Sequence, residues 1–485
     1  MNRFQSHAVL RADLSRVAAA CMLAASPLWG ASVAMAQSQV SPAVQAPATA
    51  AIPVAASTQP VGTPLTLAQA YRLAIEQDSV IRVARAAADG RRERLPQARA
   101  ALLPNISAQA TRNKNDLTRT EPGPTGAPVT NNIEYASSSR SLVLRQSIFR
   151  PFQIAEYRQA QAQVADANAI LDKETMNLAV RVTSAYLEAL YAQDQVNLVA
   201  AQKAAYTTQL DAARKRFAGG AGVRTDIDEA QARLDMSLAK ELEARQHVQY
   251  TRRQLQVIIN VPVTSLASVD DAKLRQAPAP GTLQDWVERA ELMSPELRSL
   301  QAQRDAARHE YAKARSGHLP TLDAIAQWSV SDSDNPTRIS SKFNNKSIGL
   351  QLNVPIFAGG LVNSQSRQAL AEIERTEQAL EATRRDLALR VEKEYRGITE
   401  GVLSIRALEQ AVRSADVMVT SNRRSFEGGS RTLVDILNAE ESRVQALRDL
   451  SNARYVFMIS HIRLKALAGI ADEQAIEQAN GWLKP

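Results

Sequence analysis

Ile348-Gly349-Leu350-Gln351-Leu352-Asn353-Val354-Pro355-Ile356 puts an apolar side chain at every even position and none at the odd positions except a proline. Such alternation gives one apolar and one polar face, the mark of an amphipathic strand. Just upstream, Leu322, Ala324, Ala326, Trp328 and Val330 alternate with Thr321, Asp323, Ile325, Gln327 and Ser329, so 321–330 reads as a second strand. A noisier pair stands at 105–115 and 138–149. The stretches between them, 116–137 and 331–347, are rich in Asn, Pro, Ser and Thr and read as linkers.

Proline placement organises the rest of the chain. No proline falls between Pro151 and Pro262, or between Pro355 and Pro485. Both windows are dense in Ala, Leu, Gln, Glu and Arg, which are strong helix formers. Proline is excluded from helix interiors because it removes a hydrogen bond and clashes with the preceding turn. Long helices are therefore expected over 152–217 and 360–426. The first would extend about 100 Å at 1.5 Å per residue, a rod that no globular domain can bury.

The chain is also duplicated. Residues 66–104 align without gaps on 282–320, and Thr66, Leu67, Ala74, Arg82, Ala86, Asp89, Arg92, Ala98, Arg99, Leu103 and Pro104 all recur. Leu142-x-Leu144 with Ile148-Phe149 recurs as Leu350-x-Leu352 with Ile356-Phe357. Phe217-Ala218-Gly219-Gly220 recurs as Phe426-Glu427-Gly428-Gly429, and Asp226-Ile227 as Asp435-Ile436. Three matches in one order define an internal repeat. The expected organisation is a first repeat over 65–261, a linker over 262–281, a second repeat over 282–469 and a C-terminal extension over 470–485.

An alternating strand suits either a soluble sheet with one wet side or a membrane barrel, apolar to lipid and polar to the lumen. The adjoining helices are too long to fold back as cover for a soluble sheet. Four strands cannot close a barrel, since the smallest have about eight. Two copies would supply eight strands and three would supply twelve, so the arithmetic demands an oligomer without fixing its size.

The N-terminus is an address. Arg3, Arg11 and Arg16 precede the apolar stretch 17–34, which ends in Ala34-Met35-Ala36 before Gln37. That pattern is a secretory signal peptide over 1–36, followed by a flexible Ala/Pro/Ser/Thr segment over 37–64. Removing Arg3, Arg11, Arg16 and Asp13 from 58 basic and 50 acidic residues leaves the mature chain at +6. Export and interspersed charge argue against nucleic acid as a partner. Aromatics at 5% are thin for a large enzyme core. Cys21, the only cysteine, lies in the leader, and His7, His247, His309, His318 and His461 have no ligand spacing. No metal, cofactor or catalytic constellation is expected, and the chain reads as no enzyme.

An exported chain with strand, strand, long helix, turn and helix repeated in tandem resembles the TolC family of outer-membrane export ducts. The tail carries the likeness best: Phe426-Glu427-Gly428-Gly429-Ser430-Arg431-Thr432-Leu433-Val434-Asp435-Ile436-Leu437, then Asn452-Ala453-Arg454-Tyr455 and Leu464-Lys465-Ala466-Leu467-Ala468-Gly469. It is similar to the subgroup serving type I protein secretion, and coverage runs from about Leu65 to Gly469. The resemblance implies a mixed fold. Three protomers would each give four strands to a twelve-stranded membrane β-barrel, continued through the periplasm by a long α-helical coiled-coil barrel. The segment 262–300 and the extension after Gly469 would join a belt round the tube. Implied partners are a homotrimer, outer-membrane lipid, a periplasmic membrane-fusion adaptor and an inner-membrane ABC transporter or RND pump. The cargo would be exported protein or, in a multidrug efflux alternative, small molecules.

Both Gly-Gly turns would be periplasmic tips. Read from residue chemistry alone, the glycines are helix C-caps. Thr225-x-x-Asp228 and Thr432-x-x-Asp435 are likewise start signals for the returning helices. The resemblance adds roles. Arg431 and Asp226 would join neighbouring helices at a closed tip with Phe426 nearby, and Asp435 and Asn438 would ring the narrowest point of the lumen. Gly219, Gly220 and Gly222, with Gly428 and Gly429, are the candidate adaptor-docking surface. The chain departs from the TolC pattern at two of these positions, with Phe426 in place of Tyr and Asn438 in place of Asp. A trimer would therefore present three constriction carboxylates rather than six. Three other classes fit less well. A periplasmic adaptor would have one hairpin and no duplicated strands, a soluble scaffold no lipid-facing alternation, and a diffusion porin many more strands per chain.

Overall fold

A computed structural model describes residues 64–124, 126–275, 280–333 and 340–484. The expected leader and all but the last residue of the flexible segment lie outside the described residues. The chain opens with three short helices, α1 (Leu67–Gln77), α2 (Ser79–Arg92) and α3 (Arg94–Ala100). Strands β1 (Asn105–Pro122) and β2 (Pro128–Phe149) follow, then the 68-residue α4 (Pro151–Ala218) and its return α5 (Arg224–Ile259). After α6 (Asp271–Leu274) the pattern repeats: α7 (Leu283–Met293), α8 (Pro295–Arg315), β3 (Thr321–Asp332), β4 (Lys342–Asn353), the 67-residue α9 (Leu361–Glu427), α10 (Leu433–Leu467) and α11 (Glu473–Asn480). The sequence repeat is visible in its caps. Thr66 caps α1 by accepting from the Gln69 N–H, and its counterpart Thr282 caps α7 by accepting from the Asp285 N–H.

The four strands form one antiparallel sheet in the order β1-β2-β3-β4. Its register lines up Ile106, Leu144, Ala326 and Ile348 in one cross-strand row. Neighbouring strand positions point to opposite faces, so the even-numbered side is apolar over 322–330 of β3 and 348–352 of β4, and the odd-numbered side there is largely polar. Ile348, Leu350 and Leu352 are 87%, 69% and 64% exposed. A protein that met water on that face would not leave such a row uncovered. On the other side, Asp323 is buried at the foot of β3, and both Arg145 of β2 and Arg150 at the start of α4 bind it at 2.6 Å.

Strand limits differ from the sequence expectation on β1, β2 and β4, and by two residues at the end of β3. β1 and β2 do not stop at 115 and 138 but pair as far as Pro122 and Pro128. Polar cross-strand pairs sustain the extra ladder: Lys114 with Glu134, Thr118 with Asn132, and Thr120 with Thr130. At about 3.3 Å per residue these strands exceed the apolar band of about 25 Å, so their hairpin extends beyond it. β4 begins at Lys342, not 348, and ends at Asn353. Val354, Pro355 and Ile356 lie outside the ladder, as a proline without an N–H requires. The long helices run one residue beyond the expected limits at each end of 152–217, and over 361–427 rather than 360–426.

The main core surrounds the middle of α4, where Leu178, Ala179, Val182, Tyr186 and Leu190 are buried. The Tyr186 hydroxyl donates to the Leu65 carbonyl at 2.8 Å, with the Ala267 carbonyl at 3.1 Å. Leu65 bridges to Leu266 and Val269 to Leu483. The segment after Val261 and the residues after Gly469 therefore meet in one belt around the helices, with Arg72 of α1 bound to Glu473 and Glu477 of α11. Among the described residues no helix is long and apolar enough to cross a membrane.

Candidate functional site

Far from this belt, a second core joins the ends of the two long hairpins. Tyr206, Leu210 and Ala213 of α4 pack with Ala230 of α5 and with Leu433, Ile436 and Leu437 of α10. Phe426, at the end of α9, closes this cluster, and the Arg216 guanidinium of α4 lies 4.1 Å from its ring centre. A cation over an aromatic face is favourable whether or not the ring carries a hydroxyl. Both tips of one protomer are thus held side by side.

The two turns are the same motif. In the first, the Gly220 N–H donates to the Phe217 carbonyl and the Ala221 N–H to the Arg216 carbonyl, each at 3.0 Å. In the second, the Gly429 N–H donates to Phe426 at 3.0 Å and the Ser430 N–H to Ser425 at 2.9 Å. These paired bonds define the Schellman helix ending, whose left-handed residue is here Gly220 at φ +75° and Gly429 at φ +78°. Gly219 and Gly428 have φ of −83° and −80°, which any residue adopts. A side chain on Gly222 would meet the Phe217 backbone nitrogen at 2.9 Å. The turn thus explains Gly220, Gly429 and Gly222 but leaves Gly219 and Gly428 unexplained.

The returning helices start differently. Thr432 and Asp435 form the expected capping box on α10. The Asp435 carboxylate accepts from the Thr432 N–H and from its hydroxyl, both at 2.9 Å, and Arg431 stands 3.3 Å away. The Thr432 bonds, with Arg431 beside them, hold the Asp435 carboxyl below the usual carboxylate range. Thr225 caps nothing. Helix α5 begins one residue before it, with Val223 as the cap and no side-chain cap bond. The spacing from turn to helix is the same in both hairpins, three residues from Gly220 to Val223 and from Gly429 to Thr432, so Val223 stands where Thr432 does and Arg224 is already helical. Asp226 is half-buried in the first turn of α5, and its carboxylate has no partner among the described residues. Within the protomer Arg431 meets Asp435, not Asp226.

Asn438 is exposed on α10, one turn beyond Asp435, and is bound by a residue that sequence reading did not single out. Arg233 of α5 reaches across to it, Nη2 donating to Asn438 Oδ1 at 3.0 Å. Its Nη1 binds Glu441 at 2.6 Å and its Nε binds Glu229 at 3.2 Å. The Glu229-x-x-x-Arg233 spacing was readable as a pair on one helix face. The acceptors on α10, 205 and 208 residues away, were not.

Comparison with known proteins identifies this architecture. The Outer membrane efflux protein family model matches residues 70–261 and 286–470, one match per repeat. The chain is 32% identical over 417 residues to the alkaline protease secretion protein AprF of Pseudomonas aeruginosa, spanning 85% of this chain and 86% of AprF. It is 30% identical over 421 residues to the outer membrane protein TolC of Vibrio cholerae, spanning 86% and 94%. The outer membrane channel CmeC of Campylobacter jejuni superposes with a TM-score of 0.72 at 15% identity, over 86% of this chain and 90% of that one, a likeness of fold. A lipid-suited sheet on long helical hairpins, duplicated within one chain, is what these proteins share, and this chain belongs to the outer membrane efflux protein family, the TolC-type channels of the outer membrane that reach into the periplasm.

Proposed function

We propose that three copies of the chain close into one channel-tunnel that carries protein cargo across the periplasm and outer membrane. A periplasmic membrane-fusion adaptor and an inner-membrane ABC transporter would serve it, as adaptors and inner-membrane transporters serve the family's trimeric channels. The observation that carries the reading is the pair of open sides on the protomer. β1 and β4 end the sheet, each with an unpaired ladder. α4 and α10 pack together, leaving α5 and α9 outermost along the hairpins. Leu389, Leu403 and Val417 of α9 are about two-thirds exposed at 14-residue intervals, and Met236, Tyr250 and Val257 of α5 are exposed at multiples of seven. Seven-residue spacing is a coiled-coil seam awaiting a second helix. A cyclic trimer joins β4 to the next copy's β1 and α9 to its α5.

The likeness to AprF, an alkaline protease secretion protein, favours protein cargo. The likeness to TolC keeps a multidrug efflux role as the alternative. A clean deletion separates the two. Loss of one or more secreted proteins from the medium, with dye and detergent tolerance unchanged, is expected. Raised sensitivity with intact secretion would assign efflux.

The tip is the proposed gate. Arg431 and Asp226 would close the gap between neighbouring copies beside Phe426, and Asp435 with Asn438 would line the constriction. A ring of three Asp435 carboxylates focuses negative potential in a narrow passage and so prefers cations. Because its folded pKa is lowered, the charge persists as pH falls through the ordinary aspartate range of about 3.9 and disappears only below it. Reversal potentials in planar bilayers should therefore show cation preference holding from pH 7 down to about 4. Asp435→Asn should remove most of it at every pH.

Adaptor docking is assigned to the exposed turns, and Gly219 and Gly428 are the positions to test. A Cβ there would sit 3.5 Å and 3.7 Å from the nearest atom, an ordinary contact. Gly219→Leu and Gly428→Leu should leave heat-modifiable trimers intact and reduce export at least tenfold. Normal export would show that the turns dock nothing.

A further inference from the structure

The belt contains a cavity of about 340 Å³ that the channel reading does not use. It opens between α10, α11 and α7 and is lined by Trp286, His461, Lys465, Gln478 and Trp482, with aliphatic side chains between them. At this volume it stands at the low end of ligand-sized cavities, room for one ring or a short chain. Two titratable side chains, His461 and Lys465, border it. His461 is only 8% exposed, and its Nε2 has no hydrogen-bond partner. The ring is fixed edge-on between Phe457, with centres 4.7 Å apart, and Trp482 at 5.0 Å. Burial, with Lys465 nearby, lowers the His461 pKa to about 4, so the imidazole is neutral at neutral pH.

Lys465 is the second such group. Its ammonium is half-buried and donates to Gln478 Oε1, and among the described residues no carboxylate lies within ion-pair distance. Asp472 acts on it only at longer range, and that carboxylate is already occupied in capping α11. One or two waters, at about 30 Å³ each, would leave much of an apolar-walled space unfilled.

We propose that the cavity binds a small monocarboxylate with an apolar or aromatic body. Its carboxylate would accept from Lys465 Nζ, and its body would lie against the Trp286 and Trp482 indoles, with the neutral His461 ring as part of the wall. A single ammonium with a neutral imidazole matches one negative charge. A cation is repelled by Lys465, and a dianion would leave one charge unpaired among apolar walls. The cavity lies in the belt rather than at the tip, so the inference stands apart from the gate.

Tryptophan fluorescence reads the site directly. The chain has four tryptophans. Trp29 lies in the expected leader and Trp328 on β3, so a Trp328→Phe trimer purified from outer membranes reports from the cavity. With salicylate as the probe, quenching should saturate, and the neutral isostere salicylamide should require at least tenfold higher concentration. Lys465→Gln should weaken salicylate at least tenfold without altering heat-modifiable trimers. If that variant fails to assemble, Ala475→Leu, which narrows the cavity, should have the same effect. Non-saturating quenching, equal quenching by salicylamide, or an unchanged half-saturation in both variants would overturn the proposal and leave the cavity to water.

Discussion

Arg233→Ala is expected to raise single-channel conductance in planar bilayers several-fold, and the charge-reversed pair Arg233→Glu with Glu441→Arg is expected to return it toward the starting value. Arg233 is where α5 of one hairpin is fastened to α10 of the other, through Glu441 and Asn438, while Glu229 on its own helix steadies it. Hydrogen bonds to a charged group contribute about 1.5–3 kcal/mol when shielded. The pair is partly exposed, so about 1 kcal/mol per protomer is the safer figure. Three copies would add to about 3 kcal/mol, a shift of roughly a hundredfold between closed and open tips if the bond exists only in the closed one. Removal also leaves Glu229 and Glu441 facing each other without their shared cation. The rescue is what makes the test specific, since a merely misfolded tip would not recover on swapping the charges. Unchanged conductance in Arg233→Ala would mean that the two hairpins of a protomer move as one body and that opening happens only between copies.

The residues show why part of this was legible and part was not. β3 was read within two residues because its alternation has one cause, a face in apolar surroundings, and that cause is local. The outer half of the β1–β2 hairpin escaped because Thr118, Asn132, Thr120 and Thr130 carry no alternation. Their ladder is held by cross-strand polar pairs that exist only once the partner is known. The Thr432–Asp435 box was read correctly from four residues, while the same reading at Thr225 was wrong. A cap needs a non-helical backbone at the capping residue, and the first turn delivers that geometry to Val223 instead. The tip glycines illustrate the converse case. The motif announced a helix end, but only backbone angles separate Gly220 and Gly429, which the turn requires, from Gly219 and Gly428, which it does not. Arg233 is the deepest omission. Its role lies in contacts 205 and 208 residues distant, and no local pattern encodes them.

Gly469→Ala is expected to cost at least about 3 kcal/mol and to abolish stable trimers, whereas Gly220→Ala and Gly429→Ala cost about 1–2 kcal/mol each and leave them intact. All three glycines end a long hairpin helix in the same left-handed conformation, with φ of +71°, +75° and +78°. The strain of placing an L side chain there is therefore common to them, about 1–2 kcal/mol. Their surroundings differ. At the tips a Cβ would meet nothing within 4 Å. At Gly469 it would lie 2.6 Å from the Met293 carbonyl oxygen and 3.1 Å from Pro295 Cδ, where α10 ends against the junction of α7 and α8. Neither obstacle can turn aside. The Met293 oxygen is backbone, and Pro295 is fixed as the first residue of α8. Relief would require pulling the end of α10 away from the belt, which carries Ala468, Ala471 and Ile476 out of the core. Thermal loss of the heat-modifiable trimer, scanned for the three variants side by side, measures the difference. Equal midpoints would show that conformational strain alone governs all three positions and that the belt yields at Gly469. A selective collapse of Gly469→Ala would identify this glycine as the point where the second repeat is fastened to the belt.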